Sequence, residues 1–289
     1  MTAEPKRIDP DDAEHPVGLI AGGGRLPFMV AEGVCRAGRR LAVVGFRGSV
    51  DEGLDRVADR FSLAGVTRWS TIIRLLRRWS VRRAVMVGRV AKDTMYTPAM
   101  VAHLMPDWRT LKLWYGKLAR DRRDQEVLNT VAEELASEGI ELISSVAYCT
   151  EHLAVEGTMT TVRPRGSAMG DVRFGWRIAR RSAELDIGQA LAVKDADIIA
   201  VEAMEGTDRM IQRTGKLCRS GGWTLIKVAR PNQDMRFDVP TVGPDTLRRV
   251  KACGGACVVV EAGCTIIIDK PQTLALADEL GIPVVGMKA

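Results

Sequence analysis

Short apolar runs alternate with amphipathic stretches along most of this chain. The first run, Val17-Gly18-Leu19-Ile20-Ala21, ends at Gly22-Gly23-Gly24, after which Leu26, Val30 and Val34 recur at every fourth position until Gly38. That spacing marks one face of a helix, and a glycine just past the last periodic residue marks its end. Leu41-Ala42-Val43-Val44-Gly45 is a second uninterrupted apolar run. Strand, glycine turn, helix and strand make a βαβ unit, and such crossovers build parallel sheets covered on both faces. The pattern goes on to predict a helix around 71–79, a strand at 84–87, a long helix from about 122 to 137 and a strand at 141–143.

Between 150 and 170 the period is lost. Gly157, Pro164, Gly166 and Gly170 interrupt a threonine-rich stretch, which predicts a linker over 151–170. Beyond it the pattern predicts a helix over 172–185, strands at 190–193 and 198–202, a helix from Thr207 and a strand at 224–228. Helix 244–252, strands 256–261 and 265–268, helix 271–280 and strand 283–286 complete the series. The expected fold is therefore α/β with two α/β domains. The N-terminal one, 16–150, is Rossmann-like with a parallel sheet; the C-terminal one, 171–289, is expected to carry catalysis. Residues 1–15, charged and proline-containing, are expected to be a disordered extension.

A length of 289 residues suits two such domains. The net charge of +6 favours anionic partners: phosphates, nucleic acid or an acidic membrane surface. Aromatic residues make up only 5% and are not interleaved with basic ones, so nucleic acid is not expected as a partner. No apolar run approaches the roughly 18 residues of a membrane helix, and the first residues do not form a signal peptide, so a cytoplasmic location is expected. The cysteines Cys35, Cys149, Cys218, Cys253, Cys257 and Cys264 lie far from His15, His103 and His152 in sequence. They read as small buried hydrophobes in a reducing compartment rather than as a metal cluster. Arg74, Arg77, Arg78, Arg82 and Arg83 surround a helix with Leu75, Leu76 and Trp79, a solvated face more simply than a membrane-facing one. The tryptophans, Trp69, Trp79, Trp108, Trp114, Trp176 and Trp223, read as core or interface residues.

Three segments carry candidate chemistry. Gly22, Gly23 and Gly24, between a strand and a helix, are expected to present backbone N–H groups to a phosphate at a helix N-terminus. Their spacing does not match the dinucleotide fingerprint, and Phe46 and Arg47 stand where that fingerprint needs an acid, which argues against a dehydrogenase. In Val201-Glu202-Ala203-Met204-Glu205-Gly206-Thr207-Asp208, three carboxylates crowd a strand exit, with Thr207 placed as a helix cap. Oxygen ligands so close together suit Mg2+. Finally, Arg230, Gln233, Asp234, Arg236 and Asp238 fall within one loop stiffened by Pro231 and Pro240. Cations for phosphates and carboxylates for a metal or water are combined there.

Taken in order, Gly18-Leu19-Ile20-Ala21-Gly22-Gly23-Gly24-Arg25-Leu26-Pro27, Leu185-Asp186-Ile187-Gly188-Gln189, the segment 201–208 and Gln233-Asp234-Met235-Arg236-Phe237-Asp238-Val239-Pro240-Thr241-Val242-Gly243 resemble the LpxI family of UDP-2,3-diacylglucosamine pyrophosphatases. The resemblance spans roughly 16–287. It implies a lipid substrate held in the cleft between two domains. The implied reaction is Mg2+-dependent hydrolysis to 2,3-diacylglucosamine 1-phosphate (lipid X) and UMP, in lipid A biosynthesis, with water attacking the α-phosphate. The family's essential aspartate falls on Asp238. Asp234 and Arg236 are expected to assist it. Glu205 and Asp208 are expected to share a metal, Mg2+ or Mn2+, with Asp238. Gly22, Gly23, Gly24, Leu26, Gln189, Thr207, Lys227, Arg230, Gln233 and Thr241 are the expected substrate contacts. Arg230 stands where the family usually has lysine, and Gly88-Arg89-Val90-Ala91-Lys92 follows the family pattern only loosely. Peripheral contact with the inner membrane surface and a homodimer are left open. The alternative is a nucleotide-sugar-binding or lipid-binding α/β protein without hydrolysis.

Overall fold

The structure, a computed structural model, describes residues 14–90, 124–231, 234–237 and 239–288. Gln233, Asp238, His103, Trp108, Trp114 and the extension up to residue 13 lie outside the described residues. The chain divides into two compact units: Met1–Cys149 with Met235–Phe237, and Thr150–Asp234 with Asp238–Ala289.

In the first unit β1 (Val17–Ala21), α1 (Leu26–Arg36), β2 (Leu41–Phe46), α2 (Leu54–Val57), β3 (Arg60–Ala64), α3 (Trp69–Arg78), β4 (Arg83–Val87), α4 (Asp124–Ser137) and β5 (Glu141–Leu142) follow one another. The strands form one parallel sheet in the order β3-β2-β1-β4-β5. β1 and β2 are buried along their whole length, which is why they read as unbroken apolar runs. The order reverses at β1, so right-handed crossovers put α1 and α3 on opposite faces. On the α3 side, Ile72, Ile73 and Leu76 pack with Val131 and Leu135 of α4 against Ile20, Ala42 and Val44. The arginines of α3 point away from this core, with Arg74, Arg77 and Arg78 exposed and Arg77 paired with Glu138, which makes it a solvated face. β3 was not expected. It is the edge strand, and Arg60-Phe61-Ser62-Leu63-Ala64 is only partly buried, so its pattern is diluted. Glu14 and His15, expected in the disordered extension, are tied down instead. Arg40 and Arg39 donate to their carbonyls, and the His15 ring meets the Ser80 carbonyl.

The second unit holds a 3-10 turn at Thr150–His152, β6 (Gly157–Thr158), α5 (Gly166–Glu184), β7 (Ala190–Lys194), β8 (Asp197–Val201), α6 (Thr207–Leu217) and β9 (Trp223–Lys227). Then come β10 (Thr241–Val242), α7 (Pro244–Ala252), β11 (Gly255–Glu261), β12 (Ile266–Ile267), α8 (Lys270–Glu279) and β13 (Val284–Met287). Its main sheet runs β6-β13-β11-β9-β7-β8; β9, β11 and β13 are parallel, while β6, β7 and β8 join antiparallel. β10 and β12 form a separate parallel pair. One face packs on α6, α7 and α8 through Met210, Ile211, Leu247, Val250 and Ala277. The other packs on α5 through Val172, Trp176, Ala179 and Ala183. Trp223 is fully buried and donates its ring N–H to the Cys253 carbonyl, as a core tryptophan must.

The expected linker over 151–170 is part of this unit. Ala154 sits in its core, β6 pairs with β13, and α5 begins at Gly166. The Thr160 hydroxyl donates to the Val162 carbonyl and accepts from the Val284 N–H. Polar bonds to the backbone hold the segment, and a search for hydrophobic period does not register them.

Among the described residues no helix is long and apolar enough to cross a membrane. All six cysteines are unbridged. Burial pushes the Cys257 thiol up to about 12, and burial beside the Glu261 carboxylate raises Cys264, so neither is a thiolate nucleophile near neutral pH. Glu261, 4% exposed at the end of β11, accepts from Arg180 of α5 and from the Ala229 N–H. Replacing Arg180 with Met leaves that carboxylate buried with one donor. Because the arginine is itself 26% exposed and solvent can move in, the expected loss is about 1–2 kcal/mol, read from urea unfolding.

Candidate active site

Open α/β sheets bind ligands beyond the carboxyl ends of their strands, at the point where the strand order reverses. In the first unit that point lies between β1 and β4, where Gly22-Gly23-Gly24 leaves β1 and Gly88-Arg89 leaves β4. The two exits are zipped together. Gly22 N donates to the Val87 carbonyl, and Gly23 and Arg89 exchange backbone hydrogen bonds, all at 2.8 Å. Gly24 N donates to the Asp51 carboxylate at 2.6 Å. The three N–H groups expected to meet a phosphate are thus already bonded within the protein. The glycines serve close approach instead: a Cβ on Gly22 would lie 2.5 Å from the Arg89 carbonyl oxygen, and one on Gly23 2.4 Å from that of Ser49. Asp51 is an acid near the end of the second strand that the sequence reading passed over. Leu26, half-buried, opens α1 beside this turn.

In the second unit the strand register draws several expected residues into a row. Ala190 pairs with Lys227 on one side, and on the other accepts the backbone N–H of Glu202 at 2.8 Å. Partners across adjacent strands face the same way, so Glu202, Ala190 and Lys227 share the face covered by α6 and α7. Lys227, 7% exposed, donates to the Thr241 carbonyl at 3.0 Å. Glu202, also 7% exposed, accepts from the Thr207 hydroxyl at 2.9 Å through Oε1, while Oε2 is buried without a hydrogen-bond partner among the described residues. Thr207 therefore holds Glu202 rather than capping α6, whose N-terminus has no side-chain cap. On the opposite face Gln189 accepts the Val228 N–H through its backbone, and its side-chain oxygen is likewise buried without a partner among the described residues. Arg230 lies 3.1 Å from the Asp186 carboxylate.

Glu205 and Asp208 do not join Glu202. Arg213 holds Glu205, and that side-chain hydrogen bond keeps its carboxyl below the usual range; Asp208 lies 3.5 Å from Arg249. Among the described residues no three of His, Cys, Asp and Glu are grouped to hold a metal ion. The described members of the expected trio, Glu205 and Asp208, thus do not fit as a ligand set. The crowding that suggested a metal is relieved by arginines from α6 and α7 that local sequence does not reveal.

The loop after β9 is divided between the units. Asp234 belongs to the second, and Met235–Phe237 to the first. There the Ser145 hydroxyl and N–H donate to the Met235 carbonyl at 2.8 Å, Phe237 packs on the core, and Arg236 lies over the Phe237 ring at 5.1 Å.

Two α/β units, one Rossmann-like and one with buried charged groups at the carboxyl ends of its strands, define a two-domain α/β protein. The model of the LpxI N-terminal domain matches residues 16–152, and that of the LpxI C-terminal domain matches 155–285. The chain belongs to the LpxI family. It is 34% identical over 282 residues to UDP-2,3-diacylglucosamine pyrophosphatase LpxI of Caulobacter vibrioides, covering 94% of this chain and 97% of that one.

Proposed function

We propose that this chain hydrolyses UDP-2,3-diacylglucosamine to 2,3-diacylglucosamine 1-phosphate and UMP, in the synthesis of lipid A. The observation that carries this is likeness to the Caulobacter enzyme along nearly the whole of both chains, in both units. The motif residues supply chemistry that suits the reaction. A phosphoanhydride is protected from water by its own negative charge, so catalysis needs cations against the phosphate oxygens and a carboxylate that orients water or takes its proton. Lys227, Arg230 and Arg236 are the cations in this reading. Asp238 is the carboxylate that prepares water for attack on the α-phosphate, with Asp234 assisting. Gln189, Thr207, Gln233 and Thr241 complete the contacts. With its N–H groups engaged, the glycine turn is left a shaping role, setting the surface on which Leu26 is presented to substrate.

Dependence on Mg2+ or Mn2+ is part of the proposal, and Asp238 is the residue we would have hold the ion, whose chemistry is neutralisation of phosphate charge. Glu205 and Asp208 are set aside as ligands because arginines already face them. A substrate with two acyl chains calls for contact at a membrane surface, which we place on its cytoplasmic side as a peripheral contact.

The test is incubation of the full chain with UDP-2,3-diacylglucosamine and Mg2+, following UMP and the lipid phosphate. Equimolar release of both, abolished by EDTA and restored by added Mg2+, is expected. Binding of intact lipid without UMP release would establish the non-catalytic alternative instead. Release that persists undiminished in EDTA would remove the metal from the proposal while keeping the hydrolysis.

A further inference from the structure

Glu202 is buried at the end of β8 with one carboxylate oxygen used and the other met by none of the described residues. A buried charged acceptor without a donor is costly, and the fold does little here to avoid it. Gly188 passes so near that a Cβ on it would lie 1.9 Å from the Glu202 carbonyl oxygen, which pins this strand end in place. The neighbouring cation, Arg213, goes to the Val201 carbonyl and to Glu205. On the same face, across the single methyl group of Ala190, stands the buried ammonium of Lys227.

This pairing selects among ligands. A second cation at Glu202 is opposed by the Lys227 charge on the same face. A phosphate oxygen can only accept, and its charge repels a carboxylate. A hydroxyl donates to a carboxylate without adding charge, and an ammonium of three donors suits a phosphate nearby. Neighbouring strands are about 4.8 Å apart, so with Ala190 between them the two charged residues start from backbones roughly 10 Å apart, a span of sugar size.

We propose that Oε2 of Glu202 accepts a hydrogen bond from a sugar hydroxyl of a phosphorylated sugar whose phosphate is met by Lys227. This rests on the reading that the ligand is a UDP-sugar lipid, which offers two such sugars: the ribose and the glucosamine. Glu202 is thereby a specificity residue for hydroxylated ligands.

The test is calorimetric binding to the full-length chain of UMP, 2′-deoxy-UMP and 3′-deoxy-UMP, and of glucosamine 1-phosphate with its 4-deoxy and 6-deoxy analogues. The wild type is expected to bind one parent compound ~10-fold more tightly than one of its deoxy forms, the scale of a charge-assisted hydrogen bond. The pair that shows the difference identifies the sugar. Glu202→Gln is expected to weaken that parent ~10-fold, leave its deoxy form within ~2-fold, and so erase the preference. A Glu202→Gln protein that melts earlier but keeps the preference overturns the inference, since the carboxylate then only anchors α6. A wild type that prefers no parent over its deoxy forms overturns it without any variant. If that wild type still releases UMP from the lipid, hydrolysis stands and only the role of Glu202 falls; if it releases none, both fall.

Discussion

Asp238→Asn is expected to retain the fold and to lower turnover of UDP-2,3-diacylglucosamine by ~100-fold or more, the lower range for removal of a general acid–base group. Such a loss corresponds to about 2.7 kcal/mol of transition-state stabilisation. Asparagine keeps the size of the side chain and one acceptor oxygen, but has neither the charge that holds a cation nor the basicity that takes a proton from water. Retention of the fold follows from what lies on either side. Met235 is bonded to Ser145, Phe237 packs in the core of the first unit, and the Pro240 carbonyl accepts the Ile266 N–H at 2.8 Å. Backbone anchors on both flanks do not depend on the carboxylate. The measurement is UMP release at saturating substrate together with thermal melting by circular dichroism. An unchanged melting profile with severely reduced turnover supports the assignment. A folded variant that turns over near the wild-type rate removes Asp238 from the chemistry.

What the sequence made legible was set by burial. β1, β2, β9 and β11 announced themselves because both of their faces are covered, and their runs are apolar apart from Thr224 and Lys227 in β9 and Glu261 at the end of β11. β3 did not, because an edge strand with one poorly covered face carries Arg60 and Ser62 without penalty. The segment 151–170 looked like a linker because its anchors are the Thr160 hydroxyl, a strand of two residues and two buried alanines, Ala154 and Ala168, none of which produces a period.

The candidate site was legible as a set of motifs but not as an arrangement. Glu202, Glu205 and Asp208 are near neighbours in sequence, and only tertiary structure separates them. Two face arginines and are exposed or nearly so; the first is buried with half its carboxylate unmet. The local hint was that Glu202 sits at the end of a strand, where the preference of helix N-termini for acids has no bearing. Lys227 was legible as a substrate contact but not as a buried one: a lysine closing an apolar run ordinarily marks a strand's wet end, whereas here the run stays buried through it.

Gly22→Ala is expected to cost about 3 kcal/mol, at the upper end for forcing a methyl group into packed structure, and to lower the melting temperature of the first unit by roughly 6–12 °C. The reason is that every near neighbour is backbone. The new Cβ would lie 2.5 Å from the Arg89 oxygen, 2.8 Å from the Gly88 carbonyl carbon and 2.9 Å from that of Arg89. No rotamer change relieves such a contact, so the exits of β1 and β4 must part, straining the bonds from Gly22 to Val87 and between Gly23 and Arg89. Gly24→Ala makes the comparison. Nothing lies within 4 Å of its Cβ, and the only obstacle is a φ of +97°, so a loss nearer 1 kcal/mol is expected. A glycine kept solely for access of a phosphate would behave otherwise: alanine at Gly22 would leave the melt unchanged and weaken nucleotide binding. Calorimetric melting of both variants, each with and without UMP, separates the two roles. A Gly22→Ala protein as stable as the wild type would restore the phosphate reading of the turn.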